Sequence, residues 1–386
     1  MKIAVYVGSF NPVHKGHIKV VKKILKEYVD KVNSTLELAN KYSYNEVFTT
    51  IHLPELSLKT QLQALKYISK ERKKYNLELT VDVGGSYICD VLNSELIIQL
   101  LKESEIDFIR LDYGYLIDDV RTLYKRLNLK GFVLNASIFN EKEFIEQVDK
   151  LKNIDNNIQI RACHNFYVRE ETGLDETFAF KQDAYIRKYN IPIYYCIPSH
   201  SSPRPPLYQG LCTLEKHRNM GLEDIICDLY INHNLNAYML ADEWFNENEF
   251  KVIDDTLNGL CKELNDVEDI KVRVFNVTTK EEEEIILKEH EFRLDSPYNL
   301  LRSLSSRQMA EFSKEIEPNN TILRKKAYIT IDNLLNKRYS GELQVVLEDK
   351  CEKESCNVVG EIVDMQDLIK LRRFKEGIKY RFVREL

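Results

Sequence analysis

Short apolar runs recur along the first two-thirds of the chain. Most are followed by a segment whose apolar residues return at helical spacing. The runs are Lys2–Val7, Glu46–Ile51, Leu77–Val83, Phe108–Leu111, Gly131–Asn135, Ile158–Cys163, Ile191–Ile197 and Asn236–Leu240. Helical patterns fall at Leu58–Lys74, Ser94–Ser104, Asp118–Leu127, Glu141–Leu151, Ala179–Tyr189, Leu222–Asn232 and Glu247–Leu264. Strands that alternate with helices imply βα units and a parallel sheet. Eight such units before residue 266 fit the size of a closed (β/α)8 TIM barrel. An open doubly wound sheet is the alternative. No GxGxxG follows any of the runs, and the pair Gly84-Gly85 lacks that spacing.

Beyond Leu264 the pattern changes. Asp269–Val277 alternates apolar and polar residues at period two, and short β segments recur at Ala327–Ile331, Glu342–Leu347, Asn357–Val363 and Lys379–Val383. This predicts a second, mostly β domain of antiparallel strands. The expected division is a barrel over residues 1–265 and a β domain over residues 266–386.

Composition narrows the class. The net charge of −6, with 55 basic against 61 acidic residues, lacks the basic bias of a nucleic-acid binder. No apolar run reaches the ~18 residues of a membrane span. The opening lacks the layout of a cleavable signal. The eight cysteines contain no CxxC spacing and read as reduced thiols, so a cytoplasmic location is expected. The eight histidines show no HxH or HExxH pattern. Neither a metal nor a cofactor is expected.

Residues 3–17, IAVYVGSFNPVHKGH, place His14-Lys15-Gly16-His17 after a strand and a GSF-x-P turn. This resembles the start of nucleotidyltransferases that adenylate nicotinate mononucleotide or phosphopantetheine. The resemblance implies phosphate binding at a helix N-terminus through His14 and His17. Their fold, however, needs a Rossmann-like sheet of ~150 residues. From Ser34 onward the chain has a different pattern. Residues 1–31 are therefore expected to lend a first strand and an extra helical stretch, His17–Val29, to another fold.

The remaining stretches are STLELANKYSYNEVFTTIHLPE (34–55), VDV (81–83), IRLDYGY (109–115), CHNFYVREETGL (163–174), GLCTLEKHR (210–218), Arg302–Arg307 and GELQVVL (341–347). Together they resemble the bacterial 6-phospho-N-acetylmuramidases. That resemblance implies a TIM barrel followed by a cyclophilin-like β domain. It also implies a hydrolase that splits N-acetylmuramic acid 6-phosphate from N-acetylglucosamine in peptidoglycan recycling. Two other readings stay open, an adenylyltransferase acting through His14 and His17, and a non-catalytic barrel.

Barrel enzymes place their chemistry at the C-terminal ends of the strands, and glycoside hydrolysis usually needs two carboxyl groups. Asp112, Glu215 and Asp242 are the candidate catalytic residues. A 2-acetamido sugar can also supply its own nucleophile, leaving one carboxylate to orient the acetamido group. A substrate with a phosphate and a lactyl carboxylate needs cationic and amide donors. Candidate binding residues are Asp82, Asn135, His164, Asn165, Tyr167, Arg169, His200, Arg218, Arg302 and Arg307. Tyr113, Tyr167 and Trp244 are candidate sugar platforms. The expected partner is a small phosphorylated disaccharide, without nucleic acid or membrane. The β domain is expected to close the barrel mouth or to mediate contacts in a homodimer.

Overall fold

The computed structural model describes residues 2–6, 18–52, 57–84, 87–307, 316–374 and 378–385, with side chains from Lys26 onward. The chain divides into two compact units, Met1–Asp254 and Asp255–Leu386.

The first unit is a closed barrel of eight parallel strands. They are β1 (Lys2–Tyr6), β2 (Glu46–Thr50), β3 (Glu78–Val83), β4 (Phe108–Leu111), β5 (Gly131–Asn135), β6 (Gln159–Cys163), β7 (Ile193–Ile197) and β8 (Ala237–Leu240). β1 pairs with β2 on one side and β8 on the other, which closes the ring. Around it lie α1 (Ile18–Lys41), α2 (Leu58–Arg72), α3 (Ile88–Asn93), α4 (Glu95–Glu103), α5 (Ile117–Leu127), α6 (Glu141–Lys152), α7 (Glu176–Arg187), α8 (Leu222–Ile231) and α9 (Glu247–Cys261). Local signals set several ends. Ser57 caps α2, Asn140 and Glu143 form a capping box on α6, and Asn128 ends α5 at φ 53°.

α1 is one continuous helix that runs well beyond the stretch His17–Val29 expected from the sequence. Asn33 and Ser34 are weak helix formers. Val32, Leu36 and Ala39 nevertheless recur at i, i+4 and i+7, and all are fully buried. Packing of that face overrides local propensity.

Side chains alternate across each strand, so one set fills the barrel. Phe48, Phe108, Val133, Cys163, Tyr194, Cys196, Ala237 and Met239 form its apolar middle. Below it sits a buried ion pair. Arg161 donates from Nη1 to Glu46 at 2.6 Å and from Nη2 to Glu78 at 2.5 Å, with its guanidinium 3.6 Å from the Phe108 ring centre. Tyr194 and Thr80 donate to the same Glu46 carboxylate.

Among the described residues the second unit holds a seven-stranded sheet and two short helices, α10 (Lys280–Ile286) and α11 (Met365–Arg372). Its strands are β9 (Val267–Val274), β10 (Glu289–Glu291), β11 (Leu300–Arg302), β12 (Tyr328–Asp332), β13 (Leu343–Val346), β14 (Cys356–Ile362) and β15 (Lys379–Arg384). The order is β10-β15-β9-β14-β12-β13-β11. The expected all-antiparallel pairing is corrected at one ladder, because β15 runs parallel to β9. α11 joins β14 to β15, which lie on either side of β9. Its Asp367 accepts from the Lys271 N–H of β9 at 2.9 Å.

Candidate active site

At the C-terminal mouth the barrel interior turns from apolar to polar within one layer of side chains. On β4, Phe108 faces the interior, so Arg110 two residues later does too, and Asp112 lies just beyond the strand. Val133 and Asn135 repeat this on β5, and Cys163 and Asn165 on β6. Asp82 of β3 is the register partner of Arg110.

These groups form one hydrogen-bonded chain. Arg110 donates from Nη1 to Asp82 Oδ1 at 3.2 Å and from Nη2 to Asn165 Oδ1 at 2.6 Å. Asn135 donates from Nδ2 to Asn165 Oδ1 and to Asp112 Oδ1, each at 2.9 Å. Its own Oδ1 accepts the Ser137 N–H at 2.8 Å. Burial works against the Arg110 charge, but Asp82 and the other acidic groups around it hold its pKa above the usual arginine value. His52 completes the edge, with Nε2 4.0 Å from Asp82 Oδ2 and Nδ1 within 3.0 Å of Thr50 Oγ1. Asp82, Asp112, Asn135 and Asn165 are therefore brought together. Arg110, His52 and Ser137 were missed from sequence. The available signal was the charge of Arg110 inside an apolar strand, two residues before Asp112.

Two other catalytic candidates tie loops together. Glu215 accepts from Arg218 Nε at 2.7 Å and Nη2 at 2.8 Å, and from the N–H groups of Glu171 at 2.9 Å and Gly173 at 2.6 Å. Arg218, with those two amides, holds its carboxyl down to about 2, which is unsuited to proton donation near neutral pH. The Arg218 guanidinium also donates to the carbonyls of Tyr167, Arg169, Gln209 and Gly210. It stitches the loops after β6 and β7. Asp242 is fully buried and accepts three backbone N–H groups, from Ser199 at 2.8 Å, Arg204 at 2.7 Å and Leu211 at 3.1 Å. Burial pushes its carboxyl up, against the pull of those amides. Glu249 of α9 does similar work, accepting the His200 and Ser201 N–H groups at 2.8 and 3.0 Å. Glu243, beside Asp242, is pushed up by burial and by Asp242, with Arg204 opposing.

The remaining candidates spread out. His164 is fully buried and faces away from the polar layer, with Nδ1 3.1 Å from Ser137 Oγ and Nε2 3.0 Å from Asp183 Oδ1. Both ring nitrogens are thus engaged by protein groups. Asn165, next in sequence, occupies the mouth instead. The Tyr167 backbone bridges to Cys212, and burial raises its phenol. Arg169 is exposed. His200 is exposed on a cleft of about 320 Å³ that Tyr208, Gln209, Asn219 and Glu170 also line. Tyr113 is 76% exposed on the loop that carries Asp112. Trp244 packs edge-on to Tyr28 at 6.1 Å, with Lys31 5.3 Å from its ring centre. Arg302 and Arg307 belong to the second unit. Both pair with the buried Glu342, Arg302 in a two-pronged contact at 2.6 and 2.9 Å, as a structural ion pair would. His14 and His17 lie outside the described residues.

Glu176, Asp228 and His233 converge closely enough to hold a cation. The Lys216 ammonium already binds both carboxylates, so the cluster is an internal ion pair. Among the described residues no helix is long and apolar enough to cross a membrane.

Comparison with known proteins gives three kinds of match. Three bacterial phosphopantetheine adenylyltransferases match part of the chain. That of Mycoplasma capricolum is 27% identical over 154 residues, 38% of this chain and all of the relative, and that of Pelagibacter ubique is 26% identical over 153 residues. Their likeness is local, and the described strands close as a barrel where a nucleotidyltransferase needs an open sheet. Two solved structures match nearly end to end. One is an uncharacterized B. cereus protein, with TM-score 0.57 and 21% identity over 99% of both chains. The other is a conserved Enterococcus faecalis protein, with TM-score 0.58 and 22% identity over 100% of this chain and 97% of that one. At these identities the likeness is one of fold. The model of the N-terminal part of 6-phospho-N-acetylmuramidases matches residues 25–255, and that of their C-terminal part matches residues 269–383. Spanning barrel and β unit together, those matches place this chain in the 6-phospho-N-acetylmuramidase family of glycoside hydrolases.

Proposed function

We propose that this protein cleaves the bond between N-acetylmuramic acid 6-phosphate and N-acetylglucosamine in small peptidoglycan fragments, as a cytoplasmic step of cell-wall recycling. The observation that carries this reading is the polar layer of Asp82, Arg110, Asn135, Asn165 and Asp112 at the barrel mouth, in a chain of that family. Asp112 Oδ1 accepts a hydrogen bond there, which suits a base or a group that orients the acetamido N–H of the sugar. Glu243 has the surroundings of a proton donor, since burial favours its neutral form. The exposed His200 and its cleft lie on the loop after β7, the region where such barrels commonly seat phosphate. Asp242, Glu215, Arg218 and Glu249 shape the walls of that region.

The test is incubation of the purified protein with the muramyl disaccharide bearing or lacking the 6-phosphate, with released N-acetylglucosamine measured by chromatography. Release from the phosphorylated compound alone is expected. Equal turnover of both, or of neither, contradicts the proposal.

A further inference from the structure

We infer that Arg110 is a positioning residue that aims Asp112 through two asparagine amides. The inference rests on the proposed glycosidase reading. Arg110 is only 6% exposed, and a buried guanidinium has a high desolvation cost unless its partners use it well. One partner, Asp82, neutralises the charge. The other, Asn165, is neutral, so its contact adds orientation.

The orientation follows from donors of fixed polarity. A guanidinium only donates, so the side of Asn165 facing Arg110 Nη2 at 2.6 Å is Oδ1. At the far end the Ser137 backbone N–H also only donates, so Asn135 turns Oδ1 toward it at 2.8 Å. Both Nδ2 hydrogens of Asn135 are then committed, one to Asn165 Oδ1 and one to Asp112 Oδ1. Neither amide can flip without setting donor against donor. The chain Arg110–Asn165–Asn135–Asp112 therefore has one arrangement, and it presents Asp112 in one pose from the loop after β4. Loss of Arg110 removes one of the two donors that pin Asn165 Oδ1, so the brace that Asn165 gives the Asn135 amide loosens and Asp112 is held less firmly. The expected defect is in the chemical step, since a displacement near 1 Å can cost about 100-fold in rate.

The experiment compares wild type, Arg110→Ala and Arg110→Lys on the phosphorylated disaccharide, with kcat and KM measured separately and folding checked by circular dichroism. Arg110→Ala is expected to lose about 100-fold in kcat with KM changed less than about threefold. Millimolar methylguanidinium is expected to restore part of kcat, while equal sodium chloride does not. Arg110→Lys, a point charge without the planar fork, is expected to remain impaired. Unchanged kcat in folded Arg110→Ala, or a loss that falls in KM alone, overturns the inference. An inactive wild type instead overturns the glycosidase reading and the inference with it. If Arg110→Ala fails to fold, Asn135→Leu cuts the chain next to Asp112 and leaves the Arg110–Asp82 pair intact. The same kcat loss is expected, and wild-type kcat there overturns the inference.

Discussion

Arg218 grips both carboxylate oxygens of Glu215, from Nε at 2.7 Å and from Nη2 at 2.8 Å. The same guanidinium reaches four backbone carbonyls in the loops after β6 and β7. Removing it takes the shared donor from those carbonyls and leaves the Glu215 carboxylate only its backbone amides. Arg218→Ala is expected to destabilise the barrel by about 3 kcal/mol. The fluorescence of Trp244, the one tryptophan, should report a melting point lower by roughly 6–12 °C. An unchanged melting point rules out the clamp.

Glu215 carries a pH signature of its own. Arg218 holds its carboxyl down to about 2, below the ordinary value of about 4.3. A depressed carboxyl contributes stability that is present above about pH 4.3 and lost as pH falls toward about 2. The melting point of wild type should therefore drop in that window, and that of Glu215→Gln should drop less. Parallel curves for the two proteins contradict this assignment.

Asp332 in the second unit shifts the other way. Burial pushes its carboxyl up to about 6, with Glu342 reinforcing and Lys353 opposing. Its folded form thus binds a proton more tightly than its unfolded form. The resulting stability is fully present below about pH 4 and is lost as pH rises through about 6. Its size is on the order of 3 kcal/mol. Amide exchange in β12 and β14 should be slower at pH 5 than at pH 8 after correction for intrinsic rates. Asp332→Asn should flatten that difference, and an equal slope in the variant counts against it.

The buried pair below the apolar middle of the barrel should be indispensable to folding. Arg161 and Glu46 are both almost wholly buried, and truncating one strands the other's charge. Arg161→Met is expected to cost about 3–5 kcal/mol by denaturant titration. A cost under about 1 kcal/mol would indicate that the pair is dispensable.

What the sequence made legible follows from what each signal encodes. Apolar runs bounded by helical patterns gave all eight barrel strands, because burial on both faces leaves a continuous run. Strand direction in the second unit was not legible, since the alternation in Lys379–Arg384 is the same for parallel and antiparallel pairing. At the site, position after a strand singled out Asp112, Glu215 and Asp242 alike. Only the fold distinguishes them, because the backbone amides around Asp242 and Glu215 belong to loops whose course the sequence does not print. Arg110 was missed because a charge within an apolar strand reads as an exception until its register partner Asp82 is seen. His164 and Asn165 are neighbours that face opposite ways, and periodicity alone did not say which faced the mouth.

The most direct test of the account is the rate at which wild type and Asp112→Asn release N-acetylglucosamine from the phosphorylated muramyl disaccharide. Wild type is expected to release it, and a folded Asp112→Asn variant to do so at a rate lower by roughly 100- to 10,000-fold. A wild-type rate in that variant, or no release by either protein, would contradict the account.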